Sequence, residues 1–139
     1  MWARTFETRL SEWITLRDNS TMSDEEYLEA VNEWWHQTPW SPYYLHWDDV
    51  EQWPTPWDLL ADNIFCPVSR GLGMIYTLAL SPRTFQGELA ELGSDTIVLV
   101  GPEIYTLNYS PTSIVNIKLP GAPAVNHTLS IDDIKKKLI

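Results

Sequence analysis

NIFCPVSRGLGMIYTLALSP, residues 63–82, is where the chain changes character. Cys66 stands directly before Pro67, and proline suits the first turn of a helix because its missing N–H has no intrahelical partner there. Beyond Arg70 the residues are uncharged as far as Leu80, and Ser81-Pro82 breaks the run. The pattern predicts one largely buried helix over 67–80. Gly71 and Gly73 each weaken such a helix by roughly 1 kcal/mol relative to alanine. They predict that a neighbouring element packs closely against it.

Downstream the period shortens to that of strands. Residues 85–92 alternate, 96–100 are β-branched and apolar, and 104–109 alternate again, with Gly101-Pro102 as a tight turn between the last two. Residues 113–119 form a fourth candidate strand, PGAPAVNHT (120–128) reads as an extended tail, and Ser130 with Asp133 caps a last short helix, IDDIKKKLI. Upstream, Trp2, Phe6, Arg9 or Leu10, Trp13 and Leu16 or Arg17 follow helical spacing to about Arg17. Ser23 and Glu26 form a capping box for a second helix carrying Tyr27, Leu28, Val31, Trp34 and Trp35, which Pro39 stops. The two helices are expected to form an antiparallel hairpin. Four prolines make residues 38–57 an ordered loop pinned by aromatic rings. Thr55 then caps a short helix with Pro56 first and Asp58 third, closed by Asn63. The reading is a single α+β domain over 1–139: a helical hairpin (1–38), a Trp/Pro-rich loop (39–57), a helix with antiparallel sheet (58–120), and an extended tail with a short helix (121–139). The helices are expected to pack on a small antiparallel β-meander.

Composition narrows the function classes. At 139 residues, 44% hydrophobic and 20% charged, the chain suits one domain with a real core and argues against global disorder. Nineteen acidic against nine basic residues, net −10, exclude a general nucleic-acid binder, which needs a basic face. One cysteine excludes a disulfide scaffold and a cysteine-based zinc site. No segment has the length of apolar run that a membrane span needs, and MWARTFETRL lacks a signal-peptide core. A soluble protein of a reducing compartment is expected. Gly71-Leu72-Gly73 is not a phosphate loop, since it lacks the preceding strand and a nearby lysine; no cofactor is expected.

The tryptophans and the charges are unevenly placed. All eight tryptophans lie at or before Trp57, and from Asp18 through Ser69 eleven acids, Asp18 included, occur with no lysine or arginine. Indoles favour covered boundaries where the N–H finds a partner, and they also dominate binding hot spots. The surplus therefore reads either as a boundary-rich core or as a protein-binding face, whose candidate residues are Trp34, Trp35, Trp40, Trp47 and Trp53. An acidic stretch steers docking on a basic surface or serves as a solvated face. Lys135, Lys136 and Lys137 make a small patch of opposite sign.

A cysteine at a helix start followed by an antiparallel sheet resembles the core of the transglutaminase-like, papain-related superfamily. DTIVLVGPEIYTLNYSP (95–111) resembles its histidine-strand, turn, aspartate-strand unit. Asp95-Thr96 stand where that family has histidine, and Asn108 stands for the acid, so the resemblance implies a scaffold without the base. The strings WWHQTPWSPYYLHWDD, WPTPWDLL, RGLGMIYTLAL and LNYSP resemble short Trp-rich proteins of large tailed bacteriophages. That resemblance implies a viral protein, in the particle or in the host cytoplasm.

A thiol enzyme would use Cys66 with His127 and Asp132 (or Asp133), in chain order. His36, His46, Asp48 and Asp49 are metal-ligand types, but HWDD is not a ligand frame, so no metal is expected. Asp48-Asp49 and Asp132-Asp133 are adjacent pairs, unlike the paired carboxylates of a glycosidase. The expected function is non-enzymatic: a tailed-phage head, neck or baseplate accessory that docks on other virion proteins through a Trp-rich acidic surface. An acidic factor occupying a basic host protein surface, and a Cys66 thiol enzyme, are the alternatives. Neither nucleic acid nor membrane is an expected partner.

Overall fold

Side-chain caps fix most of the helix boundaries. The computed structural model describes residues 5–37, 45, 47–61, 66–92, 95–101, 105–109, 114 and 125–137. Thr5 caps α1 (Phe6–Arg17) by accepting the Thr8 N–H. Ser23 and Glu26 form the expected reciprocal box at the head of α2 (Asp24–Trp35). Thr55 and Asp58 do the same for α3 (Pro56–Ala61), after a 3-10 turn at Trp47–Gln52. Cys66 and Ser69 cap α4 (Pro67–Leu80), and Ser130 with Asp133 caps α5 (Ile131–Lys137). Each pair satisfies N–H groups that a helix start otherwise leaves unpaired. No helix among the described residues is long and apolar enough to cross a membrane.

The first two helices run antiparallel, as expected. Tyr27 OH donates to the Arg17 carbonyl at 2.9 Å and Trp34 Nε1 donates to the Glu12 carboxylate at 3.2 Å, so the partners recede along α1 as α2 advances. Asn19 Oδ1 accepts the N–H groups of Thr21 and Met22 in the turn between them. Arg83 clamps that turn to the entrance of the sheet. Its guanidinium donates to the Met22 carbonyl at 2.7 Å, pairs with Asp24 at 2.9 Å and lies 4.5 Å over the Tyr27 ring. Tyr27 in turn stacks on Phe85.

Four strands, β1 (Gln86–Leu92), β2 (Asp95–Gly101), β3 (Tyr105–Leu107) and β4 (Val125–Ser130), form one antiparallel sheet in the order β3-β2-β1-β4. The first three make the expected meander. The fourth returns to the free edge of β1, which gives the strand order of a Greek key. This strand comes from the segment read as an extended tail: pairing with β1 satisfies backbone groups that a bare sheet edge leaves open. The candidate strand over 113–119 falls, apart from Ile114, outside the described residues.

α4 is the centre of the helical layer. It packs on β2 and β1, with α2 on its β3 side and α5 on the side of β1 and β4, while α1 and α3 lie against it from outside. From Gly71 to Ala79 every residue of α4 is buried. The two glycines take the close approaches their presence predicts. A Cβ on Gly73 would sit 2.5 Å from the Trp35 ring, and one on Gly71 would sit 2.8 Å from Leu89 Cδ1. One turn beyond Gly73, the Thr77 hydroxyl accepts the Trp13 indole N–H at 2.8 Å and the Trp35 indole N–H at 3.0 Å, and donates to the Gly73 carbonyl at 2.8 Å. Buried Arg9 ties α1 to α3 by donating to the Leu60 carbonyl at 2.9 Å. Tyr76 OH, its pKa pushed up to about 12 by burial, donates to the Pro54 carbonyl at 2.6 Å.

Thr77→Val keeps the shape but leaves two buried indole N–H groups unpaired, at about 1–3 kcal/mol each. Urea unfolding is expected to show a loss of roughly 2–6 kcal/mol, and Thr77→Ser a smaller one. Gly73→Ala gains about 1 kcal/mol of helix propensity but meets a rigid ring, and overpacking of about 1–3 kcal/mol or more outweighs the gain. A stabilised Gly73→Ala variant would contradict the packing described.

Candidate functional site

The described tryptophans of the expected binding face are core residues. Trp34, Trp35, Trp47 and Trp53 are each no more than 8% exposed, and Trp40 lies outside the described residues. Trp34 and Trp35 meet edge to face at 5.0 Å, as do Trp47 and Trp53. Their rings are largely covered by the chain itself. Trp57, grouped with α3 rather than with that face in the sequence, is the exposed indole among the described residues: it is 48% accessible and packs edge to face on Trp13 at 6.5 Å.

What the outer face of α2 presents is charge. Glu25, Glu29 and Glu33 are exposed and spaced four residues apart, one above another on a single row. Among the described residues no ion pair reaches them; Arg17 pairs with Asp18 and Arg83 with Asp24. Hydrogen bonding to Arg17 accordingly holds the Asp18 carboxyl below its ordinary pKa. A hollow lies on either side of α2. One, between α1 and α2, has a volume of about 380 Å³ and is lined by Ser11, Glu12, Thr15, Leu16, Asn19, Met22 and Trp34. The other, toward the sheet, has about 280 Å³ and is lined by Asp24, Leu28, Thr84, Phe85, Val100, Gly101 and Tyr105. Lys135 and Lys136 stand exposed on α5, on the far side of α4.

The start of α4 is a polar junction rather than an open thiol site. Cys66 is buried, and its sulfur accepts the Ser69 N–H at 3.4 Å in the role usually held by a serine or aspartate. Asn108, at φ 64°, occupies the left-handed region that asparagine tolerates better than most residues. Its side-chain amide donates to the Pro67 and Thr96 carbonyls, both at 2.8 Å, and its N–H donates to Asn32 Oδ1 at 2.8 Å. At the position where the resemblance implies an acid, this residue therefore joins α2, α4 and β2. Two buried atoms here, Arg70 Nε and Asn108 Oδ1, have no hydrogen-bond partner among the described residues.

The set Cys66, His127 and Asp132 is not brought together. His127 lies opposite Glu91 in the β1–β4 register, and its Nδ1 meets Glu91 Oε1 at 3.0 Å while its ring stacks on Trp47 at 5.5 Å. The cross-strand carboxylate takes the imidazole. Asp132 is exposed in the first turn of α5, and no hydrogen bond or ion pair links any two of the three among the described residues. Of the metal-ligand types, His46 and the side chains of Asp48 and Asp49 lie outside the described residues. The half-buried His36 ring contacts its own helix through the Asn32 carbonyl at 2.7 Å. No group of three or more potential ligands occurs among the described residues. Comparison with protein-family models, curated proteins and solved structures yields no match.

His36 gives the junction a pH signature. Burial, and after it the Arg70 charge, hold its pKa below the ordinary value, against the Asn32 carbonyl. With a folded pKa below the unfolded one, the unfolded chain binds the proton more readily, so the contribution is complete above the ordinary histidine range and lost as pH falls through it. Tm is expected to drop between about pH 7 and about pH 5, and His36→Gln should flatten that part of the curve. An unchanged slope would refute the burial argument. Cys66 is expected to react with iodoacetamide far more slowly in the native chain than in urea; equal rates would place the sulfur at the surface.

Proposed function

We propose that the chain is a non-catalytic docking protein, an accessory component of a tailed-phage particle, that seats a basic surface of a partner on the outer face of α2. The observation that carries this reading is the row Glu25, Glu29 and Glu33: three exposed carboxylates of like charge on one helix face, with no counter-ion among the described residues. Like charges four apart destabilise a helix by about 0.2–0.5 kcal/mol per pair, a cost that a cationic partner removes. The net charge of −10 steers such a partner and makes association salt-dependent. The phage setting rests on the resemblance of the Trp- and Pro-rich strings. The same row suits a factor that occupies a basic host surface.

Mass spectrometry of purified particles tests the reading. A constant ratio to the major capsid protein supports it; absence from particles contradicts the virion role and moves the row of glutamates to a host target. Replacing Glu25, Glu29 and Glu33 with glutamine is expected to leave the fold as stable or slightly more so, while releasing the protein from particles at moderate salt.

A further inference from the structure

We infer that Arg70 and His36, where the end of α2 meets the start of α4, hold one small tetrahedral oxyanion of the phosphate class. Arg70 is a charge without a partner. Of the four arginines among the described residues, Arg9 donates to the Leu60 carbonyl, Arg17 pairs with Asp18 and Arg83 pairs with Asp24. No hydrogen bond or ion pair from the described residues reaches the Arg70 guanidinium, and its Nε is buried. Arg70 as a whole is only partly buried, so solvent reaches it. A guanidinium withdrawn from water is ordinarily matched by a carboxylate. The chain carries nineteen acids, and no described one pairs with this residue.

The surroundings sharpen that imbalance. Burial pulls the Arg70 pKa down, against Cys66. The residue stands at the positive end of the α4 dipole, in a turn with no acidic side chain. It lies three residues before Gly73 on the row of α4 that Trp35 crosses, and His36 follows Trp35 in the chain. The His36 Nδ1 meets the Asn32 carbonyl at 2.7 Å; a carbonyl only accepts, so Nδ1 holds the proton of the neutral ring and protonation adds a donor at Nε2. The backbone N–H groups of the turn are not the site, because Cys66 and Ser69 already cap them. A phosphate has oxygens for the guanidinium fork and for a second donor from another helix. A net charge of −10 repels a long polyanion, which leaves a single group, free or on a small molecule. The other titratable groups close in sequence are Cys66, buried one turn before Arg70, and Glu33, exposed one turn before His36, while the end of β3 supplies Asn108, which does not titrate.

The test titrates the full chain with inorganic phosphate, and with acetate and chloride at matched ionic strength, while NMR follows the His36 ring. Saturable binding of phosphate at about 1–10 mM is expected, with shifts at His36 and at the amides that open α4. The bound anion favours the imidazolium, so the His36 titration should move to higher pH; sulfate, whose charge is constant in that range, serves as the probe for this measurement. Arg70→Met keeps the apolar stem, removes the charge and should cost about tenfold or more in affinity. Without phosphate its Tm should equal or exceed that of the wild type, because the charge it removes is unpaired. Arg70→Lys, a charge without the fork, should bind more weakly than the wild type and fold as well. Phosphate also stabilises proteins by exclusion from their surface, so a Tm rise shared in full by Arg70→Met counts against the site. Wild-type binding by Arg70→Met, an equal response to acetate, or a His36 titration that sulfate leaves in place overturns the inference. A destabilised Arg70→Met in phosphate-free buffer overturns it too, since the guanidinium would then be holding the junction itself.

Discussion

The hydroxyl of Thr77 is the point on which the helical layer depends. It has one proton and two lone pairs, and all three are used: the proton goes to the Gly73 carbonyl, and the lone pairs take the indole N–H groups of Trp13 and Trp35. One atom thereby fixes α1 and α2 to α4. The constraint propagates one turn back along α4. For Trp35 to reach Thr77 its ring must cross the helix at Gly73, where a Cβ would stand 2.5 Å from it. Trp35, Gly73 and Thr77 are therefore one unit, and the cost of the glycine in the helix is offset by the burial of a whole indole.

That unit also explains where the surplus of tryptophan goes. The large rings fill the space between three helices and the sheet, and two of their polar atoms share one acceptor deep in the core. With the indoles turned inward, the outer face of α2 is left to glutamates, and Trp57 stays at the surface beside Trp13. The acidity of the N-terminal half is thus a consequence of the same amphipathic pattern that builds the core: Tyr27, Leu28, Val31, Trp34 and Trp35 inward, Glu25, Glu29 and Glu33 outward. The docking reading uses the face that the core does not.

Much of this was legible in the sequence where the causes are local. Ser23 with Glu26, Thr55 with Asp58 and Ser130 with Asp133 announce their helices because a cap needs only residues three apart. Pro67 and Ser81-Pro82 bracket α4 for the same reason, and the glycines correctly signalled close packing. What failed to show were the long-range pairings. Strand β4 follows a proline- and glycine-containing stretch and exists through its pairing with β1, and His127 finds Glu91 through that register. Whether Trp35 faced a partner or the core turned on a threonine acceptor 42 residues away, one that also takes the Trp13 indole across 64. Cys66 reads either as a nucleophile or as a cap because a reactive thiol and a capping sulfur occupy the same place at a helix start; in the fold it is buried and accepts the Ser69 N–H.

Hydrogen exchange of the indole protons of Trp13 and Trp35, followed by NMR in the free chain, tests the central claim most directly. If both donate to Thr77 in the closed core, they exchange only when the whole chain unfolds, with a free energy equal to that from denaturant unfolding. Exchange of either indole by local opening, well below that value, would contradict a core built around Thr77 and return the tryptophans to the surface.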